Sequence, residues 1–283
     1  MIAVTRLLQP HEIMSPRCVR VSLELMGERM LRTFLCVAIA TMSSGAAAQS
    51  WRDAKNTASD QVYTSEARQT FYCGCDYTSH EDNDGSGDVD DVNACGYDRG
   101  ANHQARANRI EWEHVVPASL MPARQFACWD GPEGERDRCE RENPEAQAMI
   151  FELHNLVPSV GQANGDRDNH RYADLDDSVS EYGMCEIENS RADDLFEPPD
   201  CKKGDVARIW LFMEAEHGVW IPTEERAMFV EWMDADPISP WEAEREQRIF
   251  DLTGVRNQFV AGGGTDPSGA CPWEPGSSVL EFE

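Results

Sequence analysis

Glu113 and His114 are adjacent in the chain, and Asn164 follows fifty residues after His114. A carboxylate beside an imidazole suits a division of labour in which Glu113 holds a hard divalent cation by oxygen and His114 removes a proton from water. Asn164 can supply a second, neutral oxygen ligand. Few protein ligands and several waters are typical of Mg²⁺ binding. These three residues therefore indicate metal-assisted hydrolysis.

Strand geometry sets a condition on the adjacent pair. Residues 110–116 are rich in aromatic and β-branched side chains, which predicts a strand. Adjacent residues of a strand point to opposite faces. Glu113 and His114 can serve one site only if the strand ends there and the backbone turns, and Pro117 favours such an end.

Each of these residues also has an ordinary interpretation. A lone histidine is more often a hydrogen-bonded structural group than a base, and an asparagine near a Pro-Ser turn is usually a helix cap. The residue types alone leave both interpretations open.

The elements around this segment predict an α+β fold. Apolar spacing favours helices at residues 51–70, 144–156, 206–217, 224–234 and 240–250, and Pro158 suits the first turn of a further helix that would carry Asn164. We find no internal repeat and no linker, so residues 49–283 are predicted to form one domain, with a flexible tail from about residue 262.

The N-terminal residues resemble an export signal. A basic start at Met30 is followed by a short apolar run and the small residues Ser43 to Ala48, which predicts a signal peptide cleaved after Ala48. The apolar run is shorter than the about 20 residues that a membrane span needs. Residues 1–29 are interpreted as an N-terminal extension, with Met30 as the alternative start. The chain is therefore predicted to be secreted or periplasmic, without a membrane anchor.

Cysteine usage agrees with an oxidising compartment. Eight cysteines follow Ala48, and an even number behind a signal peptide favours disulfides: Cys73, Cys75, Cys95, Cys128, Cys139, Cys185, Cys201 and Cys271. Cys128 with Cys139 and Cys185 with Cys201 would close the shortest loops, so these two pairs are predicted. A zinc site is the alternative, but no C-x-x-C pair supports it.

The chain is strongly acidic. Its net charge is −27, and removing residues 1–48, with five Arg and three acidic residues, leaves −29. This charge predicts a solvated, salt-tolerant surface and argues against binding nucleic acid by charge alone. Residues 99–171, in contrast, carry nine Arg against twelve acidic residues.

The segment from His80 to Asn93 concentrates this acidity. Side chains with oxygen ligands are spaced as in an EF-hand loop, at Asp82, Asp84, Ser86, Asp88 and Asp90. Asn93 stands where the bidentate Glu is expected, and no long helices flank the segment. A solvated insertion without regular structure is therefore favoured over a calcium site.

Several motifs, taken in order, resemble the bacterial endonuclease I family of secreted and periplasmic nucleases. They cover most of the chain from about Ala54 to Val260: Phe71 to Cys75, Cys95 to Tyr97, Glu113 to Ala118, Arg124 to Trp129, His154 to Pro158, Asn164 to Asn169, and Trp241 with Gln247 to Phe250. The resemblance implies a ββα-metal (His-Me finger) nuclease core surrounded by helices, which cleaves DNA and RNA with little sequence preference and leaves 5′-phosphates.

The same resemblance implies roles for individual residues. Glu113 and Asn164 would bind Mg²⁺, with Mn²⁺ or Ca²⁺ as substitutes, and His114 would be the general base. Arg136 would contact the phosphate, with Arg138 as the second choice because the loop here is longer. Asn155 is expected to be structural. No organic cofactor is implied, and the protein is expected to be a monomer.

The sequence can be compared with two other functions, a calcium-binding module and a metalloprotease. A secreted acidic calcium-binding module is suggested by the Asp-rich segment, but an intact set of Glu113, His114 and Asn164 argues against it. A metalloprotease is excluded because the chain has no H-E-x-x-H motif.

Overall fold

Groups of short strands lie between groups of helices along the part of the chain that the computed structural model describes, which is residues 50–80, 82–132, 134–175, 182–275 and 277. The predicted signal peptide and N-terminal extension, residues 1–48, lie outside the described residues. Eight α-helices occur in the described part: α1 (Trp51–Thr57), α2 (Ala127–Asp130), α3 (Arg136–Glu142), α4 (Pro144–Ile150), α5 (Gly161–Arg167), α6 (Asp200–His217), α7 (Thr223–Ala235) and α8 (Pro240–Thr253).

The strands in the described residues form three small sheets. β1 (Tyr77–Ser79) pairs with β2 (Gly87–Val89), and β3 (Ile110–His114) pairs with β4 (Leu156–Val160), both antiparallel. In the third sheet β7 (Leu195–Glu197) lies between β5 (Arg171–Tyr172), which is parallel to it, and β6 (Glu188–Ser190), which is antiparallel. The prediction of a mixed helix and strand fold is confirmed.

The pair β3–β4 lies at the centre of the fold. All five residues of β4 are buried, and α5 begins directly after it at Gly161. Strand pairing joins His114 to Leu156 and Ile110 to Val160. This register brings the two sequence segments that carry the candidate residues, some fifty residues apart, onto neighbouring elements.

The expectation that Pro158 opens a helix is wrong. Pro158 lies within β4 opposite Trp112, and its carbonyl accepts a hydrogen bond from the Phe71 backbone N–H at 2.7 Å. A proline lacks a donor, so it fits only a strand position whose donor side needs no partner. Pairing with β3 and burial of the whole strand override the local preference for a helix start.

The first predicted helix is also shorter than expected. α1 ends at Thr57 and passes into one π-helical turn, Ala58–Val62, after which the chain continues to a short 3-10 turn at Ser65–Ala67. The backbone leaves the helix at Tyr63, whose buried hydroxyl accepts a hydrogen bond from Arg245 Nε at 2.7 Å. A contact with a distant residue therefore decides where this helix stops.

Four disulfides link the described residues: Cys73–Cys185, Cys75–Cys95, Cys128–Cys139 and Cys201–Cys271. The predicted pair Cys128–Cys139 is confirmed. The predicted pair Cys185–Cys201 is wrong, because each of these cysteines lies beside a partner that is remote in sequence. All eight cysteines of the described residues are in disulfides, so none of these eight remains for the zinc alternative.

The segment predicted as a flexible tail is attached to α6. Cys271 is bonded to Cys201, and the buried Glu274 forms an ion pair with Lys202. Both contacts fall on the first turn of α6, so residues 271–274 pack against the start of that helix.

The acidic segment is only partly a loop. Residues Gly87–Val89 form β2, so the prediction that the segment has no regular structure is wrong there. Its carboxylates have separate partners: Asp84 accepts from the Ser86 backbone, Asp88 contacts His80, and Asp90 accepts from Thr78. In the described ranges no group of three or more His, Cys, Asp or Glu is placed to hold a metal ion. This arrangement favours the solvated insertion.

Among the helices that the structure describes, we find none long and apolar enough to cross a membrane.

A buried cluster of ionic groups joins α6, α8 and the C-terminal segment. It has four carboxyl groups and two cations: Asp205, Asp236, Glu242 and Glu274 with Lys202 and Arg208. Burial, followed by the charge of Asp205, raises the pKa of Glu242 to about 8 against the pull of Arg208, whose Nε lies 2.6 Å from Glu242 Oε1. The same two causes raise the pKa of Asp236 to about 7. The excess of carboxyl groups over cations is therefore balanced by bound protons.

The free energy of unfolding should fall as pH rises toward the raised pKa values of Asp236 and Glu242. The folded protein keeps protons on Glu242 and Asp236 that the unfolded chain has released, so the free energy of unfolding should fall from about pH 5, above the pKa of unfolded carboxyl groups, and level off above about pH 8, where both groups have also ionised in the folded protein. Calorimetry in EDTA should show a falling Tm. Glu242→Gln should flatten the slope, whereas Glu244→Gln, on the exposed face of α8, should leave it unchanged. A slope that is the same in all three proteins would contradict the role of the cluster.

Candidate active site

A cavity of about 580 Å³ opens where β3 ends. Its lining includes four of the residues singled out from the sequence: Glu113, His114, Arg136 and Asn164. They come from three elements, since Glu113 and His114 end β3, Arg136 begins α3 and Asn164 lies on α5. The condition placed on the adjacent pair is met, because His114 is the last residue of the strand.

The backbone after β3 is held by Asn155. Its Oδ1 accepts from the Val116 N–H at 2.7 Å, and its Nδ2 donates to the Val116 carbonyl at 3.0 Å. Asn155 also uses its own carbonyl to accept from the Val115 N–H at 3.1 Å. Asn155 is fully buried and does not line the cavity. Its contacts fix the turn that lets two adjacent residues share one site.

Glu113 is a buried carboxylate, and one of its two oxygens contacts other side chains. Its Oε1 lies 2.9 Å from Arg167 Nη1 and accepts from the Tyr72 hydroxyl at 3.4 Å. Among the described residues both contacts fall on Oε1, which leaves Oε2 toward the cavity that Glu113 lines. Burial raises the pKa of Glu113 to about 7, opposed by the charge of Arg167. A cation beside Oε2 would stabilise the ionised form further.

Arg167 lines the cavity although the sequence analysis gave it no role. Its guanidinium is fully buried and donates to the carbonyls of His114 at 2.9 Å and Val115 at 2.6 Å, in addition to its ion pair with Glu113. It also lies 4.9 Å from the ring centre of Tyr172. The sequence did contain a signal, because Arg167 follows Asn164 by three residues, a spacing that places both on one side of a helix.

The imidazole of His114 is held in one tautomer. Its Nε2 lies 2.8 Å from the Ile150 carbonyl, and a carbonyl can only accept, so Nε2 carries the proton and Nδ1 is the basic atom. The ring stacks on Trp51, with 5.0 Å between ring centres. Burial, followed by the charge of Arg136, lowers the pKa of His114 to about 3. The imidazole is therefore neutral at physiological pH, as a general base must be.

Asn164 is oriented by an acidic neighbour. Its Nδ2 donates to Glu111 Oε2 at 2.9 Å, which fixes the amide so that Oδ1 is its available ligand atom. Glu111 is in turn held by Arg106 and Arg109. Burial alone would raise the pKa of Glu111, but hydrogen bonds from these two arginines lower it. The carboxylate thus stays charged and keeps the amide in place.

The structure distinguishes the two candidate phosphate contacts. Arg136 lines the cavity, and its Nε forms an ion pair with Glu140 Oε1 at 2.6 Å. Arg138 lies two residues further along α3, pairs with Glu142 and does not line the cavity. Two positions correspond to about 200° around a helix, so the two side chains point away from each other.

Together these groups can activate water beside an anion. An imidazole whose Nδ1 is the basic atom, a carboxylate and an amide line the same cavity as a partly exposed guanidinium. Oxygen ligands suit a hard cation, the imidazole suits removal of a proton, and the guanidinium suits a phosphate group. The site thus has the chemistry of a phosphodiester hydrolase.

Comparison with known proteins places the chain in a family. The model of the Endonuclease I family matches residues 49–263, and the chain belongs to this family of nucleases. It is 36% identical to Endonuclease-1 of Buchnera aphidicola subsp. Acyrthosiphon pisum (strain APS) over 191 residues, which is 68% of this chain and 73% of that protein.

Two relatives from Aeromonas hydrophila are matched over nearly their whole length. The chain is 34% identical to a periplasmic deoxyribonuclease over 238 residues, 83% of this chain and 95% of that protein. It is also 34% identical to an extracellular deoxyribonuclease over 236 residues, 82% of this chain and 98% of that protein.

Replacing Arg167 should destabilise the protein strongly. Arg167→Met leaves the buried carboxylate of Glu113 and two carbonyls without their donor, which should lower the free energy of unfolding by about 3 to 5 kcal/mol. Arg138→Met removes an exposed ion pair and should change it by less than about 1 kcal/mol. Urea denaturation of both variants measures the difference, and equal effects would contradict the importance of the Arg167 contacts.

Arg136 and Arg138 should differ in activity. Arg136→Ala removes a cation from the cavity and should lower the kcat/KM of nucleic-acid cleavage by about 100-fold. Arg138→Ala, on the same helix but outside the cavity lining, should retain activity within about threefold. Initial rates on a fluorescent oligonucleotide test this, and a larger loss for Arg138→Ala would reverse the assignment.

Proposed function

We propose that the protein is a non-specific, Mg²⁺-dependent endonuclease, secreted or periplasmic, that hydrolyses phosphodiester bonds of DNA and RNA and leaves 5′-phosphates. The observation that carries this proposal is the meeting of Glu113, His114, Arg136 and Asn164 in one cavity, with His114 Nδ1 as the basic atom. The elements β3, β4 and α5 would form the ββα-metal (His-Me finger) core.

The residues present fit a magnesium ion. Glu113 Oε2 and Asn164 Oδ1 would hold the cation, because the other polar atoms of these side chains are occupied by Arg167, Tyr72 and Glu111. A carboxylate and a neutral amide leave several coordination positions for water and substrate, as Mg²⁺ prefers, and Mn²⁺ or Ca²⁺ could take the same oxygen ligands. When bound, the cation supplies positive charge at the phosphate and at the departing 3′ oxygen.

The chain's own groups carry the proton transfer. Nδ1 of His114 accepts a proton from a water molecule as that water attacks phosphorus on the side opposite the departing oxygen. The Nε2–H bond to the Ile150 carbonyl stabilises the imidazolium that forms. The reaction breaks the bond between phosphorus and the 3′ oxygen. One fragment therefore ends in a 3′-hydroxyl, and the other keeps the phosphate on its 5′ oxygen.

Arg136 would bind the phosphate being cleaved. Its ion pair with Glu140 uses Nε, so the terminal nitrogens of the guanidinium can donate to nonbridging oxygens. Contacts of this kind are made to the backbone and not to base edges, so they carry no sequence information. The same reasoning supports action on both DNA and RNA.

The acidity of the chain is compatible with this activity. Three arginines, Arg106, Arg136 and Arg167, line the cavity, although the chain as a whole has a net charge of −27. The lining also holds four acidic residues, Glu113, Asp137, Glu140 and Asp168, so the cavity is close to neutral although the chain is strongly acidic. We propose that the protein acts as a monomer, because Glu113, His114, Arg136 and Asn164 meet in one cavity without a contribution from a second copy.

Export is supported by three observations. The N-terminal sequence predicts a signal peptide, four disulfides link the described residues, and the names of two relatives describe them as extracellular and periplasmic. Disulfides persist in such oxidising compartments. Export also keeps a nuclease of low specificity away from the DNA of its own cell.

Cleavage of plasmid DNA and of RNA by the oxidised protein tests the proposal. Wild type should degrade both substrates with Mg²⁺ and neither with EDTA, and the products should accept ligation as 5′-phosphates. His114→Ala should lower the rate by about 100-fold or more, because general-base catalysis is lost. His80→Ala, which removes an imidazole outside the cavity lining, should cleave like wild type.

Each result bears on a different part of the proposal. Equal rates for His114→Ala and wild type would show that another group is the base. Full activity in EDTA would show that cleavage does not need a metal ion. An inactive wild type with Mg²⁺, Mn²⁺ and Ca²⁺ would overturn the nuclease function of this site.

A further inference from the structure

Trp51 lines the active-site cavity at the first turn of α1, where nothing in the sequence motifs pointed to a functional residue. Its indole contacts both of the side chains to which the proposed mechanism gives separate tasks. We propose that Trp51 is a positioning residue for the cleavage reaction, which orients the imidazole of His114 and the guanidinium of Arg136. This inference rests on the proposed nuclease function and deepens it.

The local structure fixes the position of Trp51. Ser50 caps α1, since its hydroxyl accepts from the Asp53 N–H at 3.2 Å and the Asp53 carboxylate accepts from the Ser50 N–H at 3.0 Å. This capping box sets the direction in which the chain enters the helix. Ala54 is fully buried on the next turn and anchors the helix to the core. The capping box before Trp51 and the buried Ala54 after it therefore fix the position of Trp51.

Stacking on Trp51 completes the orientation of His114. A single hydrogen bond from Nε2 to the Ile150 carbonyl leaves the imidazole able to swing about that bond. The indole of Trp51 lies 5.0 Å from the imidazole centre, with 15° between the ring planes. Stacking fixes the plane of the ring, and the hydrogen bond fixes one atom within it. The two contacts together determine the direction of Nδ1.

Trp51 also restrains the phosphate-binding arginine. The Cζ atom of Arg136 lies 5.4 Å from the centre of the indole, within the range of a cation–π contact. Glu140 holds Nε from another direction at 2.6 Å. The face of the guanidinium and its Nε are thus occupied within the described residues, whereas its terminal nitrogens remain for the phosphate. One indole sets the geometry of both groups relative to each other.

The indole also contacts Phe151, which follows the residue that holds His114. Phe151 stacks on Trp51 with 6.2 Å between ring centres, and Phe151 follows Ile150, whose carbonyl holds His114. Trp51 itself is only partly buried. Its loss should therefore disturb the site more than it disturbs the core, which separates a positioning role from a packing role.

Steady-state kinetics of Trp51→Ala and Trp51→Phe, each with Mg²⁺ on a defined oligonucleotide, test the inference. Trp51→Ala should lower kcat by about 30-fold and change KM by less than about threefold, because misplacing a reacting group costs about this much. Trp51→Phe keeps an aromatic face and should recover kcat to within about threefold of wild type. Trp220→Ala removes an indole that is 73% exposed and outside the cavity lining, and should leave kcat unchanged.

A double-mutant cycle gives a readout that packing alone would not produce. If Trp51 acts through Arg136, the loss in Trp51→Ala/Arg136→Ala should be smaller than the product of the two single losses. Full additivity in this cycle would overturn the inference, and so would a Trp51→Ala protein with wild-type kcat. A loss explained by a lower folded fraction, measured by Tm and near-UV circular dichroism, would also overturn it.

The assay of wild type beside Trp51→Ala separates this inference from the proposed nuclease function on which it rests. Wild type that fails to cleave with any of the three cations overturns the proposed nuclease function and the role of Trp51 with it. Active wild type with an equally active Trp51→Ala overturns only the role of Trp51.

Discussion

A fully buried guanidinium, that of Arg167, joins the end of β3 to α5. It pairs with the Glu113 carboxylate and donates to the carbonyls of His114 and Val115, so three consecutive residues are fixed by one side chain. Burying a cation is costly unless its charge and its donors are matched. Here a carboxylate and two carbonyls contact the terminal nitrogens of Arg167, whereas its Nε has no hydrogen-bond partner among the described residues. Because Asn164 lies one turn earlier on the same helix, the ion pair also sets the distance between the two proposed metal ligands.

The remaining elements constrain the site from other sides. Asn155 bonds both backbone groups of Val116 and thereby ends the strand, and the Cys128–Cys139 disulfide fastens α3, which carries Arg136, to α2. Each group with a proposed role is held by a contact at an atom that the proposed reaction does not use. His114 is held at Nε2, Glu113 at Oε1 and Arg136 at Nε, so their other polar atoms remain for the roles proposed above. Preorganisation of this kind avoids rearrangement during the reaction.

Much of the site could be predicted because its chemistry depends on which residue types are present. Glu113, His114 and Asn164 were identified as a carboxylate, a base and an amide suited to a hard cation, and the structure brings them into one cavity. The sequence could not reveal Arg167 or Trp51 in the same way. An arginine on a helix is usually solvated, and a tryptophan near the start of the chain is usually a core residue, so only their neighbours in space show what they contact. The pairing of Cys185 was missed for the same reason, because its partner lies 112 residues away.

The sequence by itself determined the family, the mixed fold and three of the groups that line the cavity, those of Glu113, His114 and Asn164. These properties follow from short motifs and from local periodicity, which need no knowledge of distant contacts. The tertiary structure alone decided which nitrogen of His114 is basic, which of Arg136 and Arg138 lines the cavity, where Pro158 lies and how the described cysteines other than Cys128 and Cys139 pair. Those outcomes depend on contacts between residues that are far apart in sequence, and local preferences carry too little free energy to override them.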